Sequence, residues 1–223
     1  MKVSDFELAS ITFSANTDPD TRHEFTNVHH GFLSLRGVIP DTWVIENTAF
    51  TEHSFSLDYE NGVQIFGDPR QFQVTQIGGL DIREESVALK LIVQYLTSIS
   101  PDTFRLMSAQ LELHAHQEGS HRWAAKKFLH PELAAHSWKE VQPVVLLTTP
   151  IENMIVNLGF MTGQEVDGEY NDDILRVAIH AVHEPFSNSG ELLKWCYEWP
   201  VCKNTLLQNL AMLIEDENDA TTD

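Results

Sequence analysis

The chain has 223 residues, 42% of them hydrophobic, and sets 33 Asp and Glu against 14 Lys and Arg for a net charge of −19. That length and apolar content support a hydrophobic core, as one large domain or two small ones, and argue against disorder of the whole. The charge repels phosphate backbones and anionic headgroups, which disfavours direct nucleic-acid and membrane-surface binding and leaves basic surfaces and cations as natural partners.

The first residues, MKVSDFELASITF, carry one Lys, early acids and no long apolar run, so they do not read as a signal peptide. No uncharged apolar stretch approaches the roughly 20 residues that span a bilayer. The expectation is a cytoplasmic protein. Residues 6–13 read as an opening strand. Thr17, Asp18 and Pro19 read as a helix start, followed by an apolar stripe of Phe25, Val28, Phe32 and Leu35 at helical spacing. Gly37 and Pro40 close that helix.

Residues 43–76 read as β. Phe55, Leu57 and Tyr59 alternate onto one face, and Asn61-Gly62 signals a hairpin. A two-residue turn would set Asp58 against Ile65. A three-residue loop of Glu60, Asn61 and Gly62 sets Leu57 against Ile65 and keeps one face apolar, with Gly62 at the left-handed position, so that register is preferred. After Gly67-Asp68-Pro69 the alternation returns with Phe72 and Val74 inward. Gly78-Gly79 breaks it.

Residues 84–99 read as a helix with Leu89, Ile92, Val93, Leu96 and Ile99 on one side, ended by Pro101. A strand follows at 104–116. Residues 121–139 read as one or two short helices around Pro131 and hold the cluster of basic residues Arg122, Lys126, Lys127 and Lys139. Residues 143–148 read as a buried strand. Thr149 to Glu152 resembles a capping box with Pro150 at the first helical position, which predicts a helix over 149–158 ended by Gly159. Residues 174–183 read as a strand, and Ser187 to Gly190 opens a last helix whose stripe is Leu206, Leu207, Leu210, Leu213 and Ile214.

The expected fold class is therefore α+β, an antiparallel or mixed sheet with helices packed mainly on one face. Both halves read as strand, helix, antiparallel strands, helix, which suggests two ferredoxin-like halves sharing a sheet, although no residue-level repeat accompanies that order. Residues 1–214 are expected to form one α+β domain, divisible into sub-halves 1–120 and 121–214. Residues 215–223 are expected to form an acidic flexible tail.

Two histidine pairs are the candidate chemistry. Glu112, His114 and His116 share one face of the strand 104–116, and Glu118 follows closely. Imidazoles two apart on a strand can share a zinc, iron or copper ion, so His114, His116, Glu112 and Glu118 are the candidate metal ligands, set against a plain polar strand face. His180, His183 and Glu184 are a second candidate. On a strand their two imidazoles point to opposite faces, and a joint site with His114 and His116 requires the strands to be neighbours. The acids Glu165, Asp167, Glu169, Asp172 and Asp173 could bind a hard cation but lack EF-hand spacing and read as a solvated loop.

Cys196 and Cys202 form neither a CxxC motif nor half of a zinc site, and read as free thiols, with Cys196 buried. Trp195, Tyr197 and Trp199 read as core packing with Leu192 and Leu193. No nucleophile elbow, Walker loop or dinucleotide fingerprint is present. The function expected is that of a non-catalytic acidic intracellular protein acting through protein–protein binding, in an assembly, regulatory or inhibitor role. It would need no cofactor, and its partner would be a basic surface or a second copy, with a homodimer formed between the basic cluster and acidic regions. The alternative is a metal-dependent hydrolase using a divalent metal ion on the strand 104–116.

Overall fold

The computed structural model describes residues 1–17, 32–80, 86–99, 104–129, 144–151, 153–166 and 169–215. Nine strands form one sheet: β1 (Phe6–Asn16), β2 (Ile45–Phe50), β3 (Phe55–Tyr59), β4 (Val63–Gly67), β5 (Gln71–Leu80), β6 (Leu106–His116), β7 (Val144–Ile151), β8 (Met154–Val166) and β9 (Glu169–His183). Their order across the sheet is β2-β3-β4-β5-β1-β6-β9-β8-β7. Every neighbouring pair is antiparallel. Among the described residues lie the α-helices α1 (Val87–Ser98), α2 (Ser120–Phe128) and α3 (Ser189–Ile214).

β1 and β6 are the centre, paired through Ile11 and Leu111. On one side the meander β2–β5 folds back so that β5 meets β1. On the other, β7–β9 folds back so that β9 meets β6. Period-two alternation sets which residues go inward. Met107, Ala109, Leu111, Leu113 and Ala115 of β6 are buried, while Ser108, Gln110, Glu112, His114 and His116 between them are half-buried or exposed. In β1 the inward set changes parity, from Phe6 and Leu8 to Ile11, Phe13 and Ala15, because a bulge falls between Leu8 and Ser10.

The helices bring large side chains onto this core. Tyr95 of α1 stacks on Phe72 at 3.6 Å, Trp199 of α3 meets Phe13 edge-on at 5.2 Å, and Phe128 of α2 lies 4.5 Å from Phe160. Polar groups locate the helix starts. Ser86 caps α1 through the Ala88 amide, and Gln76 of β5 accepts from both the Ser86 hydroxyl and the Val87 amide. Asn188 caps α3 through the Glu191 amide, while the Glu191 carboxylate accepts from the Ser187 amide. α3 continues through Pro200.

The register argued for the β3–β4 hairpin is the one observed. Leu57 faces Ile65, and Gly62 takes a φ of 78°. The expected fold class is corrected. The sheet dominates, is antiparallel throughout and runs unbroken through all nine strands, so the chain is not an α+β pair of ferredoxin-like halves under a layer of helices. Part of the cause is local. The predicted helix over 149–158 is the β7–β8 hairpin. Met154, Val156, Leu158 and Phe160 are buried at every second position, and this run outweighs the Thr149–Glu152 capping pattern. Pro150 sits on the outermost strand, where a sheet tolerates proline. The helix read from Thr17 to Leu35 falls mainly outside the described residues, with a single helical turn at 32–35. Of the expected acidic tail at 215–223, all but Glu215 lies outside the described residues.

Candidate functional site

Three places carry the candidate residues, and the first is β6. Glu112 and His114 share its half-buried side, and the Glu112 carboxylate lies 3.2 Å from His114 Nε2. His116 is exposed at the strand end, across from Ile174. Glu118 lies beyond it in the turn before α2, where Gly119 donates its amide to Asp173. Of the four proposed ligands, only Glu112 and His114 are shown in contact. Across the ladder His114 is flanked by Glu7 on β1 and Arg176 on β9. Among the described residues, no group of three or more His, Cys, Asp or Glu side chains is placed to hold a metal ion.

The strands β6 and β9 are indeed neighbours, but His180 faces Gln110, four residues from the partner of His114. That is roughly 13 Å along the strand, too far for a shared ion. The acidic segment forms the end of the β8–β9 hairpin, with Val166 paired to Glu169 and Asp167 outside the described residues. Of the basic cluster, Arg122, Lys126 and Lys127 lie on α2. Lys127 Nζ donates to the Glu215 carbonyl at the end of α3, where the helix dipole favours a cation. Lys139 lies outside the described residues.

The second place is where β9 ends against α3. His183 stacks on Phe186, with ring centroids 4.0 Å apart and planes 10° from parallel, and Trp195 stands edge-on to both. The imidazole Nδ1 lies 2.6 Å from the Glu184 carbonyl. A carbonyl only accepts, so Nδ1 carries the proton of this hydrogen bond. These rings line a cleft of about 220 Å³ together with Asn153, Met154, Glu191, Lys194, Glu198 and Cys202. Of the aromatic trio, Trp195 and Trp199 are buried as core and Tyr197 is exposed. Cys196 is fully buried, and burial pushes its thiol up to about 12, which leaves it an inert core residue. The two cysteines are unpaired with each other.

The third place is the sheet margin at β7, which the helical reading of 149–158 concealed. Its sequence, VVLLTTPI, carries no charge, and residues 144–162 include one charged side chain, Glu152. Leu146 is 74% exposed and lies over Gly159, and Ile155 across from Pro150 is 52% exposed. Between them Thr148 donates its hydroxyl to Asn157 at 2.8 Å. The signal for this edge was the two-residue periodicity from Met154 to Phe160. The opposite margin, β2, is exposed along its whole length but includes Glu46 and pairs with Asp58 of β3.

The chain matches no protein-family model, and a search of curated proteins finds no match. Among the described residues, no helix is long and apolar enough to cross a membrane.

Proposed function

We propose that this chain is a non-catalytic acidic protein that acts through protein–protein binding, in an assembly, regulatory or inhibitor role, and that β7 is its pairing edge. The observation that carries this reading is the uncharged, apolar margin of the nine-stranded sheet in a chain of net charge −19. An edge strand offers a row of unpaired amides and carbonyls, and proteins keep such an edge free of partners with charge, proline, bulges or a covering segment. β7 has proline near one end and no charge at all. The simplest occupant is a second β7 running antiparallel about a two-fold axis, which makes the contact self-complementary.

The electrostatics of this pairing have a sign. Two bodies of charge −19 repel each other while the edge itself is neutral, so salt screens repulsion and strengthens association. A contact between the basic cluster on α2 and acidic regions would instead weaken with salt. Sedimentation equilibrium at low and high salt separates the two. The wild type is expected to dimerise more tightly at high salt, and Leu146→Lys, which adds a charge at an exposed position, to remain monomeric. A wild type that stays monomeric in concentrated solution at high salt removes β7 self-pairing. A dimer that Leu146→Lys leaves unchanged moves the contact elsewhere.

A further inference from the structure

The cleft between the end of β9 and α3 has a chemistry that the β7 edge does not use. We infer that it is a socket for an arginine side chain presented by a basic partner protein. Its α3 wall repeats at the spacing that puts side chains on one helical face: Glu191, Lys194 and Trp195, Glu198, Cys202. Its other wall is the His183–Phe186 stack, with Trp195 edge-on to both rings.

Three properties select the occupant. The first is charge. Glu191 and Glu198 outnumber Lys194, and the remainder of the chain adds a strong negative field, so a cation is drawn in. Lys194 does not fill that role. Its ammonium stands 3.7 Å from Glu198 with both side chains more than half exposed, a solvent-screened pair that an incoming cation can displace. The second is the hydrogen-bonding sense. The Glu191 and Glu198 carboxylates accept only, so a ligand that engages them must be a donor. The third is shape. A cleft of about 220 Å³ falls below the ~300–1,000 Å³ of sites for drug-sized molecules and suits one side chain. Aromatic walls favour the flat, weakly hydrated guanidinium over the compact lysine ammonium.

The test uses Cys202 as a reporter within the cleft, with buried Cys196 as the internal reference. Iodoacetamide labelling of each thiol is followed by mass spectrometry in titrations with the capped peptides acetyl-Gly-Arg-Gly-amide, its lysine counterpart and its citrulline counterpart. The His183 ring-proton resonances are followed in parallel by NMR, which reads occupancy even if Cys202 labels slowly. The arginine peptide is expected to protect Cys202 and shift the His183 resonances saturably, the lysine peptide to act more weakly, and the uncharged citrulline peptide to do neither. Glu198→Gln is expected to raise the half-saturating arginine concentration about tenfold, the effect of losing one charge-assisted hydrogen bond. Glu46→Gln, the same charge change on exposed β2, is expected to leave it unchanged.

Equal responses to arginine and citrulline, no saturable response to arginine, or equal effects of Glu198→Gln and Glu46→Gln would each overturn the socket. A lysine peptide as effective as arginine would overturn the guanidinium assignment. Repeating the titration in Leu146→Lys separates this outcome from that of β7 pairing, since a monomer with an intact cleft still responds.

Discussion

Replacing Tyr95 by Phe should make this protein more stable. The Tyr95 side chain is fully buried, its ring is stacked on Phe72 with planes 2° apart, and among the described residues its hydroxyl has no hydrogen-bond partner. A buried hydroxyl without a partner costs about 1–3 kcal/mol in lost hydration. Phenylalanine keeps the stacked ring and removes the oxygen. The void left behind, of about 10 Å³ at ~24 cal/mol per Å³, costs only about 0.2 kcal/mol. Tyr95→Phe should therefore stabilise by about 1–2.5 kcal/mol. In a chain of this size that raises the melting temperature by about 2–10 °C, with the urea m-value unchanged. The pH dependence gives a second reading. Burial, and then the nearby Asp68 carboxylate, push the Tyr95 phenol above its ordinary value near 10. Below about pH 10 both states hold the proton and nothing is lost. Above it the unfolded chain ionises while the folded one does not, so wild-type stability falls with rising pH. The advantage of Tyr95→Phe should widen over that range. A variant less stable than wild type by about 1 kcal/mol or more would show that the hydroxyl is satisfied, and a gap that does not grow above about pH 10 would show that the phenol titrates normally; either refutes the reasoning.

Two further expectations follow from the same kind of accounting. Gly62 closes the β3–β4 loop at a φ of 78°, and a Cβ there would run into the Ile77 carbonyl oxygen, so Gly62→Ala combines a left-handed backbone with a clash against neighbouring main chain. It should destabilise by about 2 kcal/mol or more, read as a lower urea midpoint. The Cys196 thiol, pushed up by burial from about 9 to about 12, stays protonated in the folded protein while the unfolded chain releases its proton. Stability is full below about pH 9 and declines between about 9 and 12. Under reducing conditions the wild type should lose about 1 kcal/mol more than Cys196→Ala between pH 9 and 10, and parallel pH profiles would show that the thiol titrates normally.

What the sequence revealed and what it hid divide along the range of the interactions concerned. The β3–β4 register was legible because one slip of the pairing would have set Asp58 against Ile65, a conflict visible within ten residues. α1 was legible from its own apolar stripe, and the burial of Cys196 from its apolar neighbours. The β7–β8 hairpin was misread because two local signals compete there. Thr149, Pro150 and Glu152 spell a helix start, while Met154, Val156, Leu158 and Phe160 spell a strand. The second wins because β8 pairs along β9 and all four of those side chains enter the core, a contribution larger than one helix cap. The bulge in β1 left a trace, the change of parity between Leu8 and Ile11, that has meaning only once β6 is known to lie opposite.

The same distinction explains why the two proposed surfaces differ in visibility. His183 stands out in the sequence, but as one of a pair with His180, and the strand separates that pair onto opposite faces. Its neighbours in the cleft are Phe186, three residues on, and Trp195, about two helical turns into α3. They meet it only because the chain reverses at 184–188 and Asn188 starts a helix that turns Trp195 inward. Glu184, read as a candidate reactive group, contributes its backbone carbonyl instead and thereby sets which imidazole nitrogen is free. Charge was the most legible property of the chain. Its placement was not. The acids matter to the proposed function mainly through where they are missing, along β7, and where two of them remain beside an aromatic wall, at Glu191 and Glu198.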